Sequence, residues 1–236
     1  MKKREGEELK VLRTSKILYD MEEAAREIME REHPSIDELL DKNIALMVNR
    51  LELKVLRPVD EDEEAVYNSW ACPSERATLL RCYDMKVGED RTAVCGSAWS
   101  IVNIKSRKIM KVKDIDTRKY SKDKYIDPLD GRRVRVTQGD EAGMADLATV
   151  TVGRNDLDDY GHMNNVKYLE HIEENLPILM DGQHYISEAS LHFVRECMID
   201  WELKLRHLSR DGRELIAFYG PDGPEVFECE LLISEI

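Results

Sequence analysis

The feature that most constrains the fold is an order of elements that occurs twice, a helix-like stripe of apolar residues followed by strand-like runs. Apolar residues spaced three and four apart line one face of an α-helix, whereas strict alternation is typical of a strand with one buried face. One helix with antiparallel strands in each half predicts an α+β protein built from two tandem units. The stripes comprise Leu18, Met21, Ala25 and Ile28 in the first half, and Val166, Leu169, Ile172 and Leu176 in the second.

Strand-like runs follow each stripe. Apolar residues occupy most odd positions from Leu191 to Leu205, which predicts one long strand with a single buried face. The same alternation occurs from Leu51 to Val55 in the first half. The segment from Asp114 to Gly143 is charged and rich in turn residues, as is typical of a linker. We therefore expect a first domain over residues 1–115, a charged linker over 116–143 and a second domain over 144–236.

Composition narrows the class of protein. The 236 residues are 42% hydrophobic and 35% charged, which suits a globular chain with a core. The net charge of −13 disfavours nucleic acid as a partner, and the absence of a long apolar run predicts no membrane span. Five cysteines without C-x-x-C spacing favour neither a disulfide framework nor a zinc site. We therefore expect a cytoplasmic protein with no metal and no cofactor.

Positive charge is concentrated in one segment of this acidic chain. Between Lys105 and Arg135 there are 12 Lys or Arg and five Asp, a local balance of +7, so the rest carries −20. Such a segment could attract an acidic or phosphorylated partner, although a solvated connecting segment would have the same composition.

The run NDLDDYGHMNNVKY, from Asn155 to Tyr168, places an Asp and a His four residues apart just before the second helical stripe. Asn164 or Asn165 is suited to cap that helix. The first N–H groups of a helix lie at the positive end of its dipole, where a developing oxyanion would be stabilised. Asp158 and His162 beside such a helix end would suit general-base hydrolysis. Asp, Asn, Gly and His also occur in ordinary turns and helix caps, but this run has more acidic groups than a cap needs.

Three segments resemble the acyl-acyl carrier protein thioesterases, a family with two hotdog domains in one chain. RNDLDDYGHMNNVKYLEHIEENLP is similar to the family's run before the second hotdog helix, D-x-N-x-H-V-N-N-x-K-Y. LHFVREC (Leu191–Cys197) resembles its Y-R-R-E-C strand, and SAWSIVNIKSRKIMKV (Ser97–Val112) resembles the stretch that closes the first hotdog. The resemblance implies two tandem hotdog domains, each an antiparallel sheet wrapped around a central helix. It covers much of the chain from Ser97 onward, and element order supports the part before it.

Carried over by position, the resemblance implies Asp158, His162 and Glu196 as catalytic residues. The neighbouring Cys that was once assigned as the family's nucleophile falls on Cys197. Adjacent residues of a regular strand face opposite sides, so only one of Glu196 and Cys197 is expected to reach the site. Cys197 shares its parity with apolar residues and is expected to be a buried thiol, which favours Glu196. Tyr160 stands where the family has an Asn, and it could donate through its hydroxyl or pack.

The activity that the resemblance implies is hydrolysis of fatty acyl-acyl carrier protein (acyl-ACP) thioesters in fatty acid biosynthesis. The first domain would hold the acyl chain, and the second would supply the catalytic groups. Carrier proteins are acidic, so we expect a docking segment around Lys105, Arg107, Lys108 and Lys111. An acyl-CoA thioesterase, a hotdog hydratase and a non-catalytic acyl-binding protein remain as alternatives. Monomer and homodimer are both compatible with the sequence, which indicates no preferred chain length.

Overall fold

Both predicted helices are present in the computed structural model, which describes residues 10–120, 122–133 and 135–236. The first, α1 (Thr14–Arg31), buries the apolar stripe of the first half. Two short helices, α2 (Ile36–Asp41) and α3 (Gln138–Gly143), follow it in the chain. The second predicted helix, α4 (Asn165–Asn175), ends just ahead of Pro177, since a residue that precedes proline disfavours helical geometry.

The strands of the described residues form one antiparallel sheet. Those of the first half are β1 (Ile44–Val55), β2 (Ala65–Glu75), β3 (Thr78–Val87), β4 (Asp90–Asn103) and β5 (Lys108–Ile109). Those of the second half are β6 (Ala145–Thr151), β7 (His184–Phe193), β8 (Glu202–Arg210), β9 (Arg213–Tyr219) and β10 (Glu225–Glu235). The order across the sheet is β2-β3-β4-β1-β7-β10-β9-β8-β6, and β5 pairs with β4 at the side.

The two halves are joined through the middle of this sheet. Strand β1 of the first half pairs antiparallel with β7 of the second, with Leu51 opposite Leu191 and Leu53 opposite Ala189. All four side chains are buried, because both strands turn the same face toward the helices. The pairing makes one continuous sheet out of two helix-and-strand units.

One hydrophobic core spans both halves. Ile17 and Met21 of α1 lie in the same buried cluster as Leu169 and Ile172 of α4, and the two helices contact each other. Full burial of each such side chain contributes about 1.5–3 kcal/mol. The helices are therefore fixed against each other, which brings residues of α1 close to the beginning of α4.

The predicted long strand from Leu191 to Leu205 is wrong. Strand β7 ends at Phe193 and β8 begins at Glu202, so Glu196 and Cys197 lie in the loop between them. The chain leaves β7 where the N–H groups of Val194 and Arg195 both donate to the carbonyl oxygen of Val226. The odd positions at the two ends are buried because they belong to two separate strands, and strand parity has no meaning in the loop between them.

The second part of the predicted linker crosses the outer face of the sheet. We call residues 122–133 and 135–137 the strap. Its three arginines pair with carboxylates that alternate with the core residues of β1 and β10. The ion pairs are Arg132–Glu230 (2.6 Å), Arg133–Glu52 (3.9 Å) and Arg135–Glu228 (3.6 Å). The three glutamates are buried beneath the strap, so loss of an arginine would leave a buried carboxylate with one cationic partner fewer.

The structure also bears on two expectations drawn from composition. All five cysteines are free, and all five are buried. In the described part of the chain, no helix has both the length and the apolar character needed to cross a membrane. The domain boundaries at residues 115 and 143 remain predictions.

Candidate active site

The predicted catalytic motif forms a tight loop between β6 and α4. Leu157 and Met163 face each other in an antiparallel bridge, and the N–H of Asp158 donates to the carbonyl oxygen of His162 at 2.8 Å. Gly161 closes the turn with φ of +82°, a conformation that costs glycine nothing and other residues much more. The loop thereby brings Asp158 and His162 to the same end of a miniature hairpin.

The Asp158 carboxylate binds the backbone of its own loop. Its Oδ1 accepts hydrogen bonds from the N–H groups of Tyr160, at 2.9 Å, and His162, at 3.0 Å. This is the ordinary way in which an aspartate stabilises a turn. The contact between Asp158 and His162 thus runs through the His162 backbone.

The His162 imidazole faces Glu196. Backbone pairing of His162 with Met198, and a 2.9 Å hydrogen bond from Met163 N to Cys197 O, align the loop with the β7–β8 connection. His162 Nε2 lies 3.5 Å from Glu196 Oε2, with side-chain exposures of 30% and 49%. This distance is long for a hydrogen bond, and catalytic contacts are often loose before a ligand binds. An imidazole and a carboxylate that water can reach are the parts needed to deprotonate water.

The beginning of α4 lies just beyond His162. The Asn164 side chain caps the helix by accepting from Val166 N at 2.9 Å, which confirms the predicted asparagine cap. The first N–H of the helix, on Asn165, has no hydrogen-bond partner among the described residues. Together with the helix dipole, this N–H favours negative charge next to the His162–Glu196 pair.

Cys197 and Tyr160 differ sharply in exposure. Cys197 is completely buried, burial raises the pKa of its thiol, and the Tyr168 hydroxyl donates a hydrogen bond to it. A buried thiol with a raised pKa is a poor nucleophile, so the expectation of a buried cysteine is confirmed. Tyr160 is 62% exposed, so its side chain projects toward solvent instead of packing.

Two residues of α1 reach the site, and sequence reasoning missed both. Arg26 Nη1 lies 3.2 Å from Asp159 Oδ2, and Glu22 hydrogen-bonds the side chain of Asn165. Burial is the main cause that raises the pKa of Glu22 to about 7. In the sequence, the only signal for Glu22 was its position next to Met21 of the buried stripe. Glu22 reaches the site because α1 contacts α4, and the two helices are far apart in the chain.

The site has no metal-binding cluster within residues 10–120, 122–133 and 135–236. No group of three or more His, Cys, Asp or Glu side chains in that part of the chain is arranged to hold a metal ion.

Known proteins resemble this chain both in sequence and in structure. Residues 141–218 match the family model of the acyl-ACP thioesterase C-terminal domain. The dodecanoyl-[acyl-carrier-protein] hydrolase of Cinnamomum camphora is 30% identical over 121 residues, covering 50% of this chain and 31% of that protein. The palmitoyl-acyl carrier protein thioesterase of Arabidopsis thaliana is 25% identical over 171 residues, covering 69% of this chain and 41% of that protein. The chain thus spans less than half the length of these curated relatives.

Solved structures share the whole fold at low sequence identity. An acyl-ACP thioesterase from Bacteroides thetaiotaomicron has a TM-score of 0.84 at 18% identity, covering 95% of this chain and 91% of that one. The 12:0-ACP thioesterase from Umbellularia californica has a TM-score of 0.80 at 17% identity, covering 96% and 92%. These similarities confirm the predicted α+β hotdog fold. The family model over residues 141–218, the curated relatives and the shared fold agree in their similarity to the acyl-ACP thioesterases.

Proposed function

We propose that the protein hydrolyses the thioester of fatty acyl-ACP, releasing a free fatty acid and the carrier thiol. The observation that carries this proposal is the 3.5 Å approach of His162 Nε2 to Glu196 Oε2 at the N-terminal end of α4. The curated relatives support the substrate, since their names specify dodecanoyl and palmitoyl groups on a carrier protein. The five buried free cysteines are compatible with the cytoplasmic setting that we expect for this reaction.

Each group has a defined part in the proposed reaction. His162 takes a proton from water while Glu196 orients the imidazole, and the resulting hydroxide adds to the thioester carbonyl carbon. The unpaired N–H of Asn165 and the positive end of α4 stabilise the oxyanion of the tetrahedral intermediate. Collapse of the intermediate breaks the C–S bond. Asp158 acts as a positioning residue that holds the His162 backbone.

The carrier would dock on an exposed basic surface of the first half. Lys105, Arg107, Lys108 and Lys111 are all exposed, and no ion pair engages them within the described residues. Lys111 also lines an open depression of about 650 Å³ that includes the further cations Arg76, Lys113 and Arg118 alongside two aspartates. Exposed cations of this kind steer an acidic partner and increase the rate of encounter. The three arginines of the strap are less available because they pair with buried glutamates.

The decisive experiment compares hydrolysis of matched acyl-ACP and acyl-CoA substrates by wild type, His162→Ala and Glu196→Gln. Loss of a general base or of its orienting partner is expected to lower kcat/KM by about 10²-fold or more. His184→Ala is the matched control, because His184 also pairs with a carboxylate, Asp181, at 2.8 Å, outside the site. Release of free thiol and fatty acid is measured for each.

The outcomes separate the alternatives. Preference for acyl-CoA would overturn the carrier substrate, and binding of acyl groups without hydrolysis would make the protein a non-catalytic acyl-binding protein. Addition of water to an enoyl thioester with the thioester intact would identify a hydratase. Activity that survives both substitutions would remove His162 and Glu196 from the mechanism.

A further inference from the structure

An acidic side chain of the first half reaches the candidate site of the second. Glu22 and Arg26 lie one turn apart on the same face of α1, and α1 contacts α4. Arg26 pairs with Asp159 at one side of the catalytic loop. The Glu22 carboxyl accepts a hydrogen bond from the Asn165 side chain in the first turn of α4. This face of α1 therefore lies against both the catalytic loop and the first turn of α4.

One oxygen of the Glu22 carboxyl has no hydrogen-bond partner among the residues that the structure describes. Oε1 is shielded from solvent and makes no hydrogen bond in the described part of the chain, although the residue as a whole keeps partial exposure. A buried polar group without a partner costs about 1–3 kcal/mol, and such groups are rare. Because the Glu22 carboxyl contacts the Asn165 side chain in the first turn of α4, a substrate bound at that helix end would bring a partner within reach.

The protonated form of Glu22 is favoured by its surroundings. Burial is the largest cause that raises the pKa to about 7; the hydrogen bond from Asn165 opposes it, the neighbouring Glu23 reinforces it and Arg26 opposes it. When the carboxyl is protonated and Asn165 occupies one oxygen, the O–H on the other oxygen is a donor without an acceptor.

The other titratable groups that face Glu22 do not supply that acceptor. Tyr83 on β3 and Cys95 on β4 both feel the Glu22 charge, and burial is the main cause that raises the pKa of each. Both side chains therefore stay neutral near pH 7. The Tyr83 hydroxyl is already engaged with Ser97 at 3.1 Å. The O–H of Glu22 is left free for a group that enters the site.

We propose that Glu22 is the acid that protonates the departing thiolate, an inference that depends on the thioester hydrolysis proposed above. When the tetrahedral intermediate collapses, the C–S bond breaks, its electron pair goes to sulfur, and the Glu22 carboxyl gives its proton to that sulfur. The products are the free acid and the thiol. His162 then releases the proton that it took from water, and Glu22 regains one from solvent.

The test varies how strongly the leaving group needs a proton. An alkyl thiolate such as pantetheine is basic and benefits from an acid, whereas a nitrothiophenolate is stable without a proton. In Glu22→Gln we expect kcat/KM for an acyl-pantetheine thioester to fall by about 10²-fold, and that for the acyl nitrothiophenyl thioester to stay within about threefold of wild type. Glu30→Gln, which removes an exposed carboxylate two turns further along α1, is the matched control and should leave both rates unchanged.

The results on the two thioesters distinguish failure of the acid role of Glu22 from failure of the proposed function. Equal losses on the two thioesters, or none on either, would show that Glu22 does not act as the acid, because glutamine can still accept the Asn165 hydrogen bond. Wild-type protein that hydrolyses neither thioester nor acyl-ACP would instead refute the proposed function. Circular dichroism spectra and melting curves establish whether the Gln variant is folded.

A measurement on the wild type alone covers the case in which Glu22→Gln does not fold. The acid must be protonated to act, so the pantetheine-to-nitrothiophenyl rate ratio is expected to fall as pH rises through about 7. A ratio that is constant between pH 6 and 8.5 on active enzyme would contradict the role of Glu22, whatever the behaviour of the variant.

Discussion

Asp158 and His162 are neighbours in the structure, yet their contact runs from a carboxylate to a backbone N–H. Asp158 Oδ1 accepts from two successive turn amides, including that of His162, while the imidazole of His162 faces Glu196 across the loop. The Asp158 carboxylate therefore has the geometry of a positioning residue, and the His162 imidazole has the geometry of a general base. The two possible roles of Asp158 can be tested separately. A hydrogen-bond acceptor in a turn needs only an oxygen, whereas an electrostatic partner of the imidazole needs a negative charge.

We expect Asp158→Asn to retain kcat/KM within about tenfold, since the amide oxygen still accepts both N–H groups. Asp158→Ala removes both hydrogen bonds and should cost about 1–2 kcal/mol of unfolding free energy. It should also lower kcat/KM by about 10²-fold, because His162 is no longer held in place. Urea unfolding and steady-state kinetics measure the two effects.

Asp159→Asn serves as the control for that comparison, because Asp159 is highly exposed and, within the described residues, its ion pair is with Arg26 on the surface. It should behave like wild type. If Asp158→Asn is as inactive as His162→Ala, the charge of Asp158 takes part in the chemistry and the positioning role is wrong.

The residues of the loop were predictable from sequence, but the groups that meet them were less so. Asp158, His162 and Glu196 stand in segments that resemble a known family, and the predicted asparagine cap is present. Glu22 lies more than a hundred residues earlier in the chain, and a helical stripe does not reveal which helix will face it. Its proximity to Asn165 depends on packing of the two helices, which no local pattern encodes.

Among the elements, helix α4 depends on its first turn. Asn164 joins the catalytic loop to the helix, since its N–H donates to the Asp156 carbonyl oxygen at 2.7 Å while its side chain caps Val166 N. The cap sets both the beginning of the helix and the direction of the amides that the proposed oxyanion would meet.

Removing the cap should weaken the helix and the site together. Asn164→Ala is expected to lower the unfolding free energy by about 1 kcal/mol, and Asn164→Asp should retain the cap. Chemical denaturation measures both. Asn155→Ala, at an exposed position of the same loop, should stay within about 0.5 kcal/mol of wild type. An unchanged midpoint for Asn164→Ala would mean that the cap contributes nothing to stability.

The strand prediction was right for β1, which buries one apolar face. It was wrong where two successive strands, β7 and β8, both have buried residues at odd positions. The alternation from Leu51 to Val55 lies in β1, as expected. The odd-position pattern from Leu191 to Leu205 joined β7 and β8 into one strand, because no residue type within 194–201 gave a decisive turn signal. That error placed Glu196 on a strand, although it lies in the loop that meets His162.

For the whole molecule, the distribution of charge matters more than the net value of −13. The basic segment divides into two parts with different environments. The part from Lys105 to Lys111 is exposed, whereas the arginines of the strap pair with buried glutamates. The sequence predicted the segment as a unit, since composition cannot tell which cations will find partners.

Replacing Lys105, Arg107, Lys108 and Lys111 together by glutamine should raise KM for acyl-ACP about tenfold at low salt and leave kcat unchanged. KM for a small acyl-pantetheine thioester should not change. The difference should shrink as ionic strength rises, because salt screens exposed charges.

A variant that neutralises Lys42 and Lys204, exposed cations outside this segment, is the control. Should KM for acyl-ACP be the same in both variants and in wild type, the carrier does not dock on these four residues.

The strap has a consequence for any attempt to divide the chain into its repeated units. Glu52 belongs to the first unit, Glu228 and Glu230 belong to the second, and the strap supplies one arginine to each of the three. Within the second unit, Arg213 also pairs with Glu230 and His192 with Glu228. A first unit that ends before residue 122 and is produced alone would keep the buried Glu52 and lose Arg133, its partner in the strap. If the chain is cut before residue 122 and the two halves are coexpressed, the strap stays intact on the second half and can pair with Glu52 when the halves associate. A cut within the strap would divide it between the two halves.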